Sequence, residues 1–397
     1  MRANNPDVYK SFKQITEDNG FVFEEHVITT DDQYILKLFR IPGQKESMIK
    51  DHYDPNLGLE KPVVFLQHGL FDSADAWIMN HASQAPAFVL ARAGYDVWLG
   101  NNRGNKYSLT SHIPKTSKQF WDYGFEEMGD HDLPAALNYI EKVTYQRKVA
   151  YIGHSQGTSQ LFYALSRNES YFEDRISLFI ALGPVMRVTH EKSSIMHFLS
   201  SNFTRKAVED VCDLFGIYEL FPSNYLTTHT MDFLCDTIPK ICDFSLYLIT
   251  DEDLTEDDES RIQVYLGHFP SGSSLRTLNH YAQMRAEGQF ERFDFGKQEN
   301  LKRYGQEEPP IIDLTQIQKV PIALFVGAKD ELADNIDNRW AKNQLQSLIH
   351  YSEYSLGHMS FFVAKDASYF TQDVMRLLNQ YHPANQTQNF KGTQFFN

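Results

Sequence analysis

Lys148-Val149-Ala150-Tyr151-Ile152-Gly153-His154-Ser155-Gln156-Gly157-Thr158-Ser159-Gln160-Leu161-Phe162-Tyr163-Ala164-Leu165 is the stretch that decides the fold. The apolar, β-branched run 148–152 reads as a strand, and 158–165 can continue as a helix. Between them lies Gly-x-Ser-x-Gly, the form of a nucleophile elbow. Such an elbow ends a strand, turns sharply and starts a helix, which lifts the serine hydroxyl off the sheet. Small residues at Gly153 and Gly157 make the turn sterically possible. A five-residue pattern recurs by chance, so the strand before it and the helix after it carry the argument.

Working outward, strands and helices alternate. Val63–Gln67 is an apolar run ending in His68-Gly69, residues 86–92 have a helical pattern, and 95–99 reads as a strand followed by Asn101-Asn102-Arg103-Gly104. Residues 127–143 have helical spacing, 177–182 read as a strand, and the rhythm resumes after Pro321 with a strand 322–326, a helix 338–348, a strand 350–354 and a terminal helix 366–381. Alternation of this kind means parallel strands with crossover helices. Ahead of it, 24–30 and 34–42 flank Asp31-Asp32-Gln33 and read as a β-hairpin. Residues 185–315 break the rhythm and are rich in aromatics; within them the acidic run 251–259 reads as a solvated loop. The expected organisation is an N-terminal segment with the hairpin (1–61), an α/β core in two parts (62–184 and 316–382) interrupted by a largely helical cap or lid (185–315), and a frayed tail (383–397). The class is therefore α/β, with a mostly parallel central sheet flanked by helices.

A chain of 397 residues, 42% hydrophobic with 29 Phe and 21 Tyr, can bury a large core. The formal net charge of −15 argues against nucleic acid or an anionic membrane as partner. No apolar run reaches membrane-spanning length. Three cysteines make no disulfide framework. The first residues lack the apolar stretch of a signal peptide, which leaves a cytosolic or lipid-droplet protein, or a leader trimmed from this chain. Sequons at Asn168, Asn202 and Asn385 fit a secreted or lysosomal glycoprotein.

A serine hydroxyl needs a base, an acid that orients the base, and donors for the oxyanion. On an elbow scaffold the order along the chain is Ser, then Asp or Glu, then His. Asp330 stands just past the strand 322–326 on Gly327-Ala328-Lys329-Asp330, with Asp334 as its rival. His358, in Ser355-Leu356-Gly357-His358-Met359, lies on the last loop before the terminal helix; His350 falls inside a strand and His382 beyond that helix. The backbone N–H groups of Gln156, directly after the nucleophile, and Leu70, in the turn after an early strand, are the oxyanion candidates.

At this point the chain resembles the acid lipase family, the gastric and lysosomal lipases of the α/β-hydrolase superfamily. The stretches that carry the resemblance are 62–70 (Pro-Val-Val-Phe-Leu-Gln-His-Gly-Leu), 93–104, Phe120-Trp121 with Phe125-Glu126-Glu127-Met128, Asp132-Leu133-Pro134-Ala135, Gly153–Thr158, 264–274, His280-Tyr281-Ala282-Gln283 and 327–334. The resemblance covers roughly residues 15 to 380. The resemblance implies Ser155, Asp330 and His358 as a triad, with Leu70 and Gln156 as oxyanion donors. It implies hydrolysis of fatty-acyl esters of neutral lipids (triacylglycerol or sterol esters) at a lipid–water interface, with no cofactor, in a secreted or lysosomal setting. The rivals are an esterase or thioesterase for short soluble acyl substrates, and a lipid-binding protein without turnover. Three departures stand out. Two residues after the base the family often carries Asp, and here stands Ser360. Arg276-Thr277 replaces residues that are usually Gln-Asn. Cys235 and Cys242 sit where the family has a cap disulfide, at a shorter spacing, which implies a bridge in an oxidising compartment.

Overall fold

The computed structural model describes residues 5–45, 61–192, 197, 199–222 and 253–384. The strands, in chain order, are β1 (Glu24–Thr29), β2 (Tyr34–Ile41), β3 (Val63–Gln67), β4 (Asp96–Leu99), β5 (Thr110–Ser111), β6 (Val149–His154), β7 (Ile176–Leu182), β8 (Glu219–Leu220), β9 (Ser273–Ser274), β10 (Ile322–Gly327) and β11 (Leu348–Tyr354). The large sheet runs β1-β2-β4-β3-β6-β7-β10-β11, with β5 on β2. From β4 to β11 every neighbouring pair is parallel, while β1/β2 and β2/β4 are antiparallel. The Asp31-Asp32-Gln33 turn joins β1 to β2 as expected, with Glu24 opposite Arg40 and Thr29 opposite Ile35.

The central strands are largely apolar because helices cover both faces, with Gln67 and His154 polar at the ends of β3 and β6. All residues of β3, β6 and β10 are buried. Alternate side chains go to opposite faces, as a period of two requires. Val63, Phe65, Tyr151, Leu324 and Val326 feed one core cluster, and Val64, Leu66, Ile152, Ala323 and Phe325 feed the other.

Several expected boundaries move. The helix read as 127–143 is Phe125–Glu127, a π-turn Met128–Asp132, and an α-helix Leu133–Thr144. Pro134, in the first turn of that last helix, supplies no N–H, and the wider turn precedes it. The helix expected at 338–348 is Asn335–Lys342, started by the Asp334 cap, and Leu348 already belongs to β11. The terminal helix begins as a π-turn at Tyr369 and ends at Tyr381.

Arg103, in the turn after β4, is 1% exposed and ties the hairpin to the core. Its Nη1 lies 2.6 Å from Asp32 Oδ2, its Nη2 2.6 Å from Asp132 Oδ1, and its guanidinium 4.0 Å from the centre of the Tyr34 ring. Replacing one member of a buried pair leaves the other charge stranded. Arg103→Met is expected to cost about 3–5 kcal/mol, read as a lower midpoint in urea unfolding at pH 7.

Between β7 and β10 the described chain leaves the large sheet. It forms the helices Asn202–Phe215, Glu259–His268, Leu275–Glu287 and Lys297–Tyr304, and the small antiparallel pair β8/β9. Over its described part, 253–259, the acidic run is only partly a solvated loop. Asp258 caps the helix Glu259–His268 by accepting the Ser260 N–H, and Asp257 is 1% exposed. Asn168 and Asn202 are exposed. Asn168 breaks the helical backbone inside Gln156–Glu173, and its Oδ1 accepts from Tyr171 N. Asn385, Cys235 and Cys242 lie outside the described residues; Cys212 is a buried free thiol. Among the described residues no helix is long and apolar enough to cross a membrane.

Candidate active site

The elbow is built by close packing. Ser155 has φ 53° and ψ −122°, an unusual conformation for a non-glycine residue. Its N–H is held by Leu182 O on β7 at 3.1 Å, and its C=O accepts from Thr158 N and Thr158 Oγ1. A Cβ at Gly157 would stand 2.3 Å from Gln67 O, so the first turn of the helix Gln156–Glu173 can pass β3 only as glycine. Ser155 is the one residue of 149–165 that is not buried, which presents its hydroxyl where the sequence places a nucleophile.

The structure brings Asp330 and His358 together. His358 Nδ1 lies 2.8 Å from Asp330 Oδ2. The other carboxylate oxygen accepts from Leu332 N at 2.9 Å and Ala333 N at 2.6 Å. Three donors therefore fix a carboxylate that is 3% exposed. Asp334 is occupied elsewhere, accepting from Ile336 N at 2.7 Å as the helix cap. His350 lies on β11, and His382 Nδ1 pairs with Ser177 Oγ at 2.8 Å.

The turn after β3 comes against the elbow. A Cβ at Gly69 would lie 2.9 Å from Ser155 Cβ. Gly69 O accepts from His68 Nδ1 at 2.8 Å and from Asp72 N at 3.4 Å. Because the peptide is planar and trans, fixing that carbonyl aims the Leu70 N–H the opposite way. Gln156 opens its helix, where backbone N–H groups have no partner within the helix.

Two histidines escaped the sequence reading. His68 is 1% exposed, and burial pulls it down to about 4, so it is neutral near pH 7. With Nδ1 donating to Gly69 O, its Nε2 accepts the Asn102 N–H at 3.1 Å. His154, the variable residue of the elbow motif, reaches His358 O with Nε2 at 3.0 Å, and the two rings stand 4.6 Å apart. The signal for His68 was its place beside Gly69; nothing in the sequence marked His154. Outside this site, Asp31, Asp32 and His131 bring ligand atoms within 4.8 Å of one another, but Asp32 is engaged by Arg103 and His131 by Asp31.

The chain matches the model of the partial alpha/beta-hydrolase lipase region over residues 12–81 and that of the alpha/beta hydrolase fold over 62–211. The gastric triacylglycerol lipase of Homo sapiens is 36% identical over 375 residues, covering 92% of this chain and 90% of the relative. That of Bos taurus is 37% identical with the same coverage, and lipase lipl-5 of Caenorhabditis elegans is 36% identical over 84% of this chain and 82% of its own length. A putative lipase from Sulfolobus solfataricus shares the fold with a TM-score of 0.58 at 14% identity, over 91% of this chain and 95% of that one. With the fold, the motifs and near-full-length identity in agreement, the chain belongs to the acid lipase family of α/β-hydrolases, alongside the gastric triacylglycerol lipases.

Proposed function

We propose that this carboxylic-ester hydrolase cleaves fatty-acyl esters of neutral lipids with Ser155 as nucleophile, His358 as base and Asp330 as the orienting acid. The observation that carries the reading is the Asp330–His358 pair at 2.8 Å. A carboxylate only accepts, so Nδ1 donates to it and Nε2 of the neutral ring is left as the acceptor. Ser155 Oγ adds to the ester carbonyl as its proton passes to Nε2. The Leu70 and Gln156 N–H groups receive the developing oxyanion. Collapse expels the alcohol with the proton from His358, and water, activated the same way, releases the fatty acid and restores Ser155.

Lipid as the substrate class rests on the relatives, named as triacylglycerol lipases, and on the helix Asn202–Phe215. Phe203 is 82% exposed and Leu214 78%, about three turns apart on one face, with Phe215, 70% exposed, at the helix end beside them. Segment 185–315 acts as the cap, and this face meets the lipid–water interface. Exposed sequons at Asn168 and Asn202 support a secreted or lysosomal setting. A fluorophosphonate probe should label Ser155, as read by peptide mapping. Rates on triacylglycerols and cholesteryl esters should exceed those on short soluble esters and thioesters; the reverse order would make it a soluble-ester hydrolase. With a long-chain ester the rate should rise as the substrate passes its solubility limit. Phe203→Ser with Leu214→Ser should lower the emulsion rate roughly tenfold or more by removing buried apolar area, leaving hydrolysis of dissolved p-nitrophenyl butyrate unchanged.

A further inference from the structure

Asp257 is a buried carboxylate that the reaction described above does not use. It lies in the segment 253–258, which is laced to the loops of both His358 and Asp330. Asp257 forms an antiparallel bridge with Ala364, Asp258 N donates to Val363 O at 2.9 Å, and Lys365 N to Glu256 O at 2.9 Å. Lys329, next to Asp330, reaches Asp253 Oδ2 at 2.9 Å, Glu256 Oε1 at 3.0 Å and Thr255 Oγ1 at 3.1 Å. Lys365 Nζ donates to Thr255 O at 2.7 Å.

Ala364 is one helical turn beyond Ser360, and its N–H bonds to Ser360 O at 3.0 Å. Ser360 and Ala364 therefore share a helix face, and Asp257 lies against it. Ser360 Oγ in turn accepts the N–H of Gly357, the residue just ahead of His358, at 3.0 Å. To accept there, the hydroxyl must point its own proton elsewhere, and a serine hydroxyl rotates freely unless a neighbour decides. Both Asp257 oxygens are buried and neither has a hydrogen-bond partner among the described residues; burial pushes the carboxyl up, and the neighbouring Ser360 hydroxyl draws it back towards the ionised form.

We propose that Asp257 is a positioning residue for His358: its carboxylate turns the Ser360 hydroxyl proton towards itself, so that Oγ keeps a lone pair on the Gly357 N–H and the histidine loop is fixed. The inference rests on the reading of His358 as the base. It also accounts for Ser360 at the position where the family often carries Asp, since here a carboxylate arrives from across the fold. A neutral carboxyl is itself a donor and competes with Gly357 for the same lone pair.

Burial pushes Asp257 up to about 6. Ser360 and Lys365 oppose the rise, Glu256 and Asp253 add to it, and His81 is engaged by Asp258 instead. A carboxyl whose folded pKa exceeds its unfolded one binds more protons when folded. Stability therefore falls as pH rises from the ordinary carboxyl value of 3.8 to about 6, and above that the molecule carries the full cost of the buried charge. Asp257→Leu should remove that cost while losing the orientation, since leucine offers the Ser360 hydroxyl no acceptor.

The test compares the wild type, D257L, S360A, D257L/S360A, D257L/S360D and H358A on dissolved p-nitrophenyl butyrate from pH 5 to 9, with Tm alongside. At pH 8, D257L should show kcat lowered roughly tenfold or more, unchanged KM and a raised Tm. The wild type to D257L ratio should shrink towards one by pH 5. D257L/S360A should be no worse than S360A, and D257L/S360D should regain rate. Unchanged kcat in D257L, or a pH-independent loss accompanied by a lowered Tm, overturns the proposal. H358A separates the two readings: an active H358A removes the base assignment itself, whereas an inactive H358A beside an unaffected D257L removes only the role of Asp257.

Discussion

Ser155→Ala is expected to abolish ester hydrolysis and fluorophosphonate labelling while the fold persists. Triad members act as a unit, and loss of the nucleophile costs about 10⁶ in kcat where such a residue has been removed. The Ser155 backbone is held by Leu182 O and Thr158, not through the side chain, so alanine can occupy the same strained position. The Tm should therefore stay close to that of the wild type. Labelling that persists undiminished in Ser155→Ala would place the nucleophile elsewhere.

Asp330→Asn should lower kcat by about 10⁴, the loss seen when a triad aspartate becomes an amide and the imidazole takes the wrong tautomer. The backbone donors Leu332 N and Ala333 N can still bind the amide oxygen, which would turn the NH₂ towards His358 Nδ1. Two donors would then face each other unless the ring moved its proton to Nε2, where it could no longer accept from Ser155. Asp334→Asn serves as the contrast. Asparagine caps a helix about as well as aspartate, so kcat should hold and stability should change by only a few tenths of a kcal/mol. A larger catalytic loss at Asp334 than at Asp330 would reverse the assignment.

Much of this was legible in the sequence because the decisive contacts are local. The elbow reads off 148–165, and its glycines are fixed by neighbours that the strand–turn–helix order already implies. The tight turn after β10 that brings Asp330 to His358 was legible, whereas the capping role of Asp334 follows from the helix that starts at Asn335. What the sequence hid are contacts between distant segments. His154 meets the carbonyl of His358 across 204 positions. Asp257 sits in an acidic run that reads as solvated, and only its pairing with Ala364 takes it inside. Pattern and periodicity register which face of an element is apolar; they do not register which far segment arrives to cover it.

The lacing of 253–258 to Lys329 and Lys365 bears on chimeras among related lipases. Exchanging the whole of 185–315 to transplant chain-length selectivity would cut this seam and disturb both loops that flank the elbow. A transplant that ends upstream of Asp253 would leave Lys329 and Lys365 with their own partners and so keep the loops of Asp330 and His358 as they are.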